Sequence, residues 1–339
     1  MNNSFKSPMG KRRQHCTGKE FAGIRKPWLA LAVFFWIGIC GLASAQAATL
    51  CVDPLGVPAP GAGECYALPS QAVAAGSPAG GDTILIHAGT YLEPSTITID
   101  KPNMKIIGDD PRSTMIQSTV GSVIDLLGNS DGAEIANLTI TGSSENGIGV
   151  GEGSLGTSIH HNDVRNNTGI GIVYFNLTGC CPATSAVIFD NVVRDNGGYG
   201  ISSLSNFAVY NNVVAGNGSI GIYGGSANYN SSYSNGTTGT SNYGSVTGNI
   251  GNISTDCLFV DAAANDLRLQ AGSACRDTGN PGYLDVDGTV SDMGIFGGPA
   301  SALFWPYGDG GPVVTGLTVT PSQVPEGGTL SIKATVEIR

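Results

Sequence analysis

One pattern recurs three times in the middle of the chain at fixed offsets, and it restricts the fold more than any other feature. Segments beginning at Ile159, Ile188 and Val209 each carry Asn three residues on (Asn162, Asn191, Asn212) and Val two further (Val164, Val193, Val214). Asn returns three residues later (Asn167, Asn196, Asn217), and a Gly-Ile pair follows at one offset: Gly171-Ile172, Gly200-Ile201 and Gly221-Ile222. A weaker copy precedes them, with Ile135, Leu138, Ile140 and Gly147-Ile148-Gly149-Val150. The steps are 29 and 21 residues, and the longer one contains the insertion Leu177-Thr178-Gly179-Cys180-Cys181-Pro182. A period of roughly 20–25 residues suits a coil of short strands in which each turn stacks on the last. Leucine-rich repeats share that period but need a leucine ladder, whereas here Val and Ile alternate with Asn and Gly. A β-sandwich with Asn-Gly hairpins does not predict equal offsets in three copies. Composition agrees: 51 of 339 residues are Gly and only 12% are charged, which excludes long helices.

With Asn at one position of successive turns, side-chain amides can bond their neighbours about 4.8 Å above and below, while Val and Ile fill the interior. At this point the chain resembles the secreted bacterial right-handed parallel β-helix proteins, the pectate-lyase-like superfamily. The flanks extend the resemblance. Gly81-Asp82-Thr83-Ile84-Leu85-Ile86-His87-Ala88-Gly89-Thr90-Tyr91-Leu92-Glu93, Ile97-Thr98-Ile99 and Lys105-Ile106-Ile107-Gly108 look like opening turns. Leu68 to Gly76 would be the short helix that caps the apolar end. Cys257-Leu258-Phe259-Val260-Asp261, Leu267-Arg268-Leu269, Asp285-Val286-Asp287-Gly288 and Asp292 through Pro299 are similar to the closing segment of such proteins. The resemblance implies an all-β parallel β-helix of about ten turns over residues 48–305. Residues 306–339 read as a Gly-Asp-Gly-Gly-Pro linker and the first hairpin of an incomplete immunoglobulin-like module.

Residues 1–47 read as a signal peptide. A basic stretch precedes the apolar run from Trp28 to Leu42, and small residues follow at Ala43-Ser44-Ala45 and Ala45-Gln46-Ala47. The expectation is a secreted protein, extracellular or periplasmic, with no membrane span after cleavage. The whole chain carries a formal −10, and seven of its 16 basic residues but one of its 26 acids precede residue 48, so the mature part stands at −16. Such a chain repels nucleic acid and attracts cations. Six cysteines remain after cleavage, and in an oxidising compartment their proximity suggests Cys51 with Cys65 and Cys257 with Cys275, leaving the adjacent Cys180 and Cys181 open.

If Asn162 and Val164 point inward, period-two alternation turns Asp163 and Arg165 outward, and Arg194 occupies the position of Arg165 one turn later. Asp190 and Asp195 lie nearby, with His161 in the position equivalent to Asp190. Two readings follow. The acids neutralise the arginines across the strands, or the patch formed by Asp163, Arg165, Asp190, Arg194 and Asp195 grips a uronate polymer. In the second, calcium sits on the acids and an arginine, Arg165 or Arg194, abstracts a proton, as resemblance to pectate lyases implies. Neither the catalytic strand of pectin methylesterases nor the paired-Asp and Gly-His-Gly segments of polygalacturonases has a match. The leading function is therefore polysaccharide binding or a structural surface role, and the alternative is a lyase or hydrolase acting on uronate polymers. No cofactor is required. Asp285 and Asp287 before Gly288, with Asp292, have the carboxylate spacing of a short calcium loop. His87 and His160 read as surface or strand residues.

Overall fold

The computed structural model describes residues 47–56, 65–175, 184–203, 207–305, 312–320 and 331–338. The leader and the Cys180-Cys181 pair lie outside the described residues. The repeat forms the coil that its spacing predicts. Each turn contributes one short strand to each of three sheets: in one turn Thr157–His160, Asp163–Arg165 and Ile172–Phe175, in the next Ala186–Phe189, Val192–Arg194 and Ile201–Ser202. The first sheet has nine strands and the second and third seven each, all parallel, so the described chain makes nine turns rather than about ten. With crossovers of the usual hand this is a right-handed parallel β-helix.

Register is uniform. Val164, Val193 and Val214 pair in one inward column, Ile159, Ile188 and Val209 in a second, and Ile148, Ile172, Ile201 and Ile222 in a third. All are buried in one continuous core. The glycine of each Gly-Ile pair is set by a close approach: a Cβ on Gly171 would lie 2.5 Å from Val193 Cγ1 and 2.9 Å from the Asn196 amide nitrogen.

Two amide ladders run along the corners. In the first, Asn162, Asn191, Asn212 and Asn230 each donate Nδ2–H to the Oδ1 of the asparagine one turn on, ending at Asn252, at 2.9–3.1 Å. In the second, Asn167, Asn196 and Asn217 do the same as far as Asn235, at 2.9–3.0 Å. Each acceptor oxygen also takes the backbone N–H of the asparagine behind it, as Asn191 Oδ1 does for Asn162 at 3.1 Å. The residue preceding the first ladder has left-handed backbone in every turn, with φ of 55° at His161, 53° at Asp190, 56° at Asn211 and 54° at Tyr229. That sharp bend turns those side chains outward, in a column of their own.

The helix Pro69–Ala75 caps the first turn, burying Pro69, Ala72 and Val73. Glu93 Oε1 accepts the Ser70 N–H at 2.9 Å, and Lys101 Nζ donates to the Val73 and Gly76 carbonyls, so both ends of the helix are satisfied. Disulfides join Cys51 to Cys65 and Cys257 to Cys275, as expected. Strands Pro312–Thr320 and Ser331–Ile338 pair antiparallel.

Cutting the first ladder in its middle removes the acceptor of two Asn162 donors in a buried setting. We expect Asn191→Ala to cost about 3 kcal/mol or more in chemical denaturation. Asn252→Ala, at the half-exposed end, should cost clearly less; equal losses would mean that the ladder contributes little.

Candidate functional site

The outer face of the second sheet is covered rather than open. Val192 and Val213, which follow Asp163 in register, join Cys257, Leu267, Cys275, Met293, Ile295, Phe296 and Phe304 in a second apolar cluster. Residues 257–305 thus fold back over the middle of this sheet around Val192 and Val213 and bury it there on both faces, while Leu92 on its first strand stays exposed. Tyr283 of this closing segment also stacks on Tyr210, extending a ring ladder through Phe189 to His160 with centroids 5.6, 5.3 and 4.7 Å apart. Two charged groups sit at the margins of the cover, one basic and one acidic.

At the basic margin the alternation argument holds: Val164 is inward, Asp163 and Arg165 are outward, and Arg165 pairs in register with Arg194. Asp163 lies between the two arginines. Arg194 Nε and Nη2 donate to its two oxygens at 3.0 Å each, and Arg165 Nε stands 2.9 Å from Oδ2. Burial opposes the charge on Arg194, but the Asp163 carboxylate outweighs it and holds the guanidinium above its ordinary range. Asp195 stands 3.6 Å from Arg194 Nη1, half exposed.

The expected patch is thus brought together only in part, and its centre is covered. Asp163 is fully buried and Arg194 is 7% exposed, because the closing segment lies over them and Asn265 accepts from Arg194 at 3.3 Å. Asp163 satisfies Arg194 directly, whereas Arg165 Nε stands at ion-pair distance from it without a hydrogen bond. Asp190 does not belong to this group at all; it occupies the left-handed column and faces the acidic margin.

Beside the buried pair the two parts of the chain leave an open seam, a cavity of about 330 Å³ lined by Arg112, Ala264, Asn265, Asp266 and Arg268. Arg112 is bound through Nε and Nη2 by Asp110, donates to the Phe304 carbonyl at 3.3 Å and lies over the Phe296 ring. Arg268 is likewise held by Asp266, whose carboxyl is kept below its usual range by that contact. Asn265 links the two sites, since its amide also reaches the Arg112 carbonyl. None of these lining residues was singled out by the sequence reading. A signal was present: Asp-x-Arg occurs at 110–112, 163–165 and 266–268, and an extended chain puts both residues of such a triplet on one face. All three triplets meet at this seam.

At the acidic margin, Asp277, Asp285 and Asp292 bring one oxygen each within 4.8 Å of the others, an acidic group of a kind that can hold a metal ion. Two of the three residues expected from the calcium-loop spacing are here and Asp287 is not. Asp287 instead accepts from the Thr289 N–H and hydroxyl, closing its own turn, while Asp277 arrives from an earlier turn of the closing segment. Burial, then Asp292, pushes the Asp285 carboxyl up to about 7; burial also lifts Asp292 to about 6. Asp190, buried beneath them, is raised well above its ordinary value by burial; the Asn211 amide opposes the shift, and Asp285 and Asp292 add to it.

His161, one turn before Asp190 in the same column, fixes the position of Gly297 by donating Nε2–H to its carbonyl at 2.8 Å. Its Nδ1 therefore accepts from His160 Nδ1 at 2.7 Å, and His160 Nε2 meets Glu134 at 3.1 Å. Burial, then His160, holds His161 down at about 3, and His160 with Lys105 holds Glu134 down at about 2 against the cost of its burial.

No family model matches the sequence, and no curated protein matches it. Solved structures do: a pectate lyase, Pel9A, at 14% identity and a TM-score of 0.34 over 75% of this chain and 97% of that one. Another is the ORF18 protein of Geobacillus virus E2, at 18% identity and a TM-score of 0.33 over 48% of this chain; the match spans 37% of the viral chain. Among the described residues no helix is long and apolar enough to cross a membrane.

The acidic margin has a pH signature. A carboxyl raised from 3.8 to about 7 on folding binds its proton more tightly folded than unfolded, so its contribution is complete below about pH 4 and is lost as pH rises to about 7. Measured in chelator against Asp285→Asn, which cancels the opposite titration of His161, the wild-type melting temperature should fall relative to the variant across that window. A constant difference would refute the shift.

Proposed function

We propose that this chain is a secreted protein that retains an acidic polysaccharide at the arginine seam. The observation that carries the reading is the cavity walled by Arg112 and Arg268 beside the Asp163–Arg194 pair. Of the nine basic residues after residue 47, four (Arg112, Arg165, Arg194 and Arg268) gather here, on a chain whose mature part is otherwise strongly negative. Long-range repulsion drives an anionic polymer from most of that surface, and the grouped guanidiniums offset it here. Asn265 supplies an amide for ring hydroxyls.

The reading is retention rather than cleavage, because Asp110, Asp163 and Asp266 are each bound by an arginine and none of the three stands free toward the seam. Two disulfides suit an oxidising compartment. For the acidic margin, the reading takes calcium as the ion, bound structurally and away from the sugar.

Arg268 is about half exposed and bonded to its own neighbour, so replacing it leaves the fold intact. We expect Arg268→Gln to lower retardation in gels containing polygalacturonate or alginate at least threefold, and to leave migration through neutral dextran unchanged. Equal retardation of variant and wild type would dispose of the seam as a binding site.

A further inference from the structure

His160 and His161 link the first sheet to the closing segment, and their hydrogen bonds can be counted proton by proton. His161 Nε2 meets the Gly297 carbonyl at 2.8 Å, His160 Nε2 meets Glu134 Oε1 at 3.1 Å, and the two Nδ1 atoms face each other at 2.7 Å. A carbonyl oxygen has no hydrogen to give, so His161 Nε2 carries one. Glu134 has none either: Lys105 Nζ donates to its other oxygen at 2.6 Å, and the His160 and Lys105 contacts hold its carboxyl down at about 2. His160 Nε2 therefore carries a hydrogen too. A third lies between the facing Nδ1 atoms, because two bare lone pairs at that distance repel. The pair thus holds three protons on its four nitrogens and bears one positive charge.

The surroundings place that charge on His160. Its ring touches the Glu134 carboxylate and stacks on Phe189 at 4.7 Å and 21°, where the electron-rich aromatic face favours a cation. His161 is fully buried and set edge-on to Phe304 of the closing segment at 5.7 Å, and burial opposes a second proton on it. The other titratable groups that face the pair come from several elements. Lys105 stands behind Glu134, Asp190 lies 3.8 Å from His161 Nε2, Asp285 takes the Gly298 N–H with Asp292 beside it, and Tyr210 and Tyr283 continue the ring stack.

We infer that His160 and His161 form an imidazolium–imidazole pair whose third proton latches the closing segment to the β-helix, and that the latch loosens when rising pH removes that proton. The line of contacts runs from Lys105 through Glu134, His160 and His161 to Gly297, a buried carbonyl 136 residues beyond His161. A pair with two protons fills only two of its three contacts. Without the proton on His160 Nε2, a lone pair faces the Glu134 carboxylate; without the one between the rings, two lone pairs face each other; without the one on His161, the Gly297 carbonyl is left bare. Each case weakens the line that holds Gly297. The contacts form only with the third proton in place, so folding takes it up, and its contribution is complete in mild acid and is lost as the pH rises. The latch needs neither polysaccharide nor metal ion and stands apart from the proposed function.

Nitrogen-15 NMR of the full chain labelled at its histidine side chains, in chelator at pH 7.5 where an unperturbed imidazole is neutral, reads the protons directly. The pair should show three protonated nitrogens and one bare, with both His160 nitrogens protonated, and Glu134→Gln should turn one His160 nitrogen bare. Two bare nitrogens in the wild-type pair overturn the charged state. Amide hydrogen exchange over residues 293–304 reads the latch. Protection factors, corrected for the intrinsic effect of pH, should fall about tenfold more between pH 6 and pH 9 in wild type than in His160→Gln, in which Asp190, Asp285 and Asp292 titrate alike and cancel. An equal fall in the two overturns the latch. Should His160→Gln misfold, Glu134→Gln takes its place in the comparison, since it keeps both imidazoles and removes only the carboxylate that retains the proton.

Discussion

Asparagine amides stacked turn upon turn impose the condition that the rest of this molecule must meet. An amide has two N–H donors and an oxygen with two lone pairs, and in the first ladder they are engaged: Asn191 gives one N–H to Asn212 Oδ1 and the other to backbone carbonyls, while its oxygen takes both N–H groups of Asn162. Such a set is satisfied in one register only, because sliding a turn by one residue strands every member in a dry corner. The apolar columns of Val and Ile are then aligned as a consequence, and the Gly-Ile glycines are needed where the chain passes closest to the second ladder. The ladder also dictates the residue before it. Left-handed backbone at His161, Asp190 and Asn211 points these side chains away from the core.

That outward column is where the closing segment docks. His161 meets Gly297, Asp190 lies against Gly297 and Gly298, and Asn211 donates to Ser291 and accepts from the Asn280 N–H. Next to it the segment presses Leu267, Met293, Ile295 and Phe296 on Val192 and Val213, an apolar burial that supplies most of the attraction between the two parts. The charges are left at the edges of this contact and are sorted by sign. Arginines collect on one margin, Arg112 and Arg268 each with an aspartate and Arg165 and Arg194 sharing Asp163, and aspartates crowd the other. A single docking event therefore creates both an arginine-lined seam and an acidic group.

How much of this was legible depended on range. The fold, the inward residues, the cap over 68–76 and both disulfides follow from local repeats and close cysteines, and the structure contains them. The acid pairing of Arg165 and Arg194 was one of two open readings. The grouping of Asp190 with those arginines was not correct, since neighbours in sequence at a left-handed bend point in different directions, and period-two alternation fails across it. Asp277 was missed in the acidic group because nothing near it resembles a metal loop. Asp287 was included because its spacing to Asp285 does, although its carboxylate is spent on its own turn.

By itself the sequence determined the coil. Asn, Val, Gly and Ile recur at constant offsets, each turn needs only the turn beside it, and nearest-neighbour stacking is information that a repeat carries in full. What the tertiary structure alone decided is which outward residues remain at the surface. Gly297 reaches His161 across 136 residues, and Asn265 reaches Arg112 across 153. Contacts of that span depend on the shapes of two finished surfaces, and no periodicity records the meeting of a repeated part with one that occurs once.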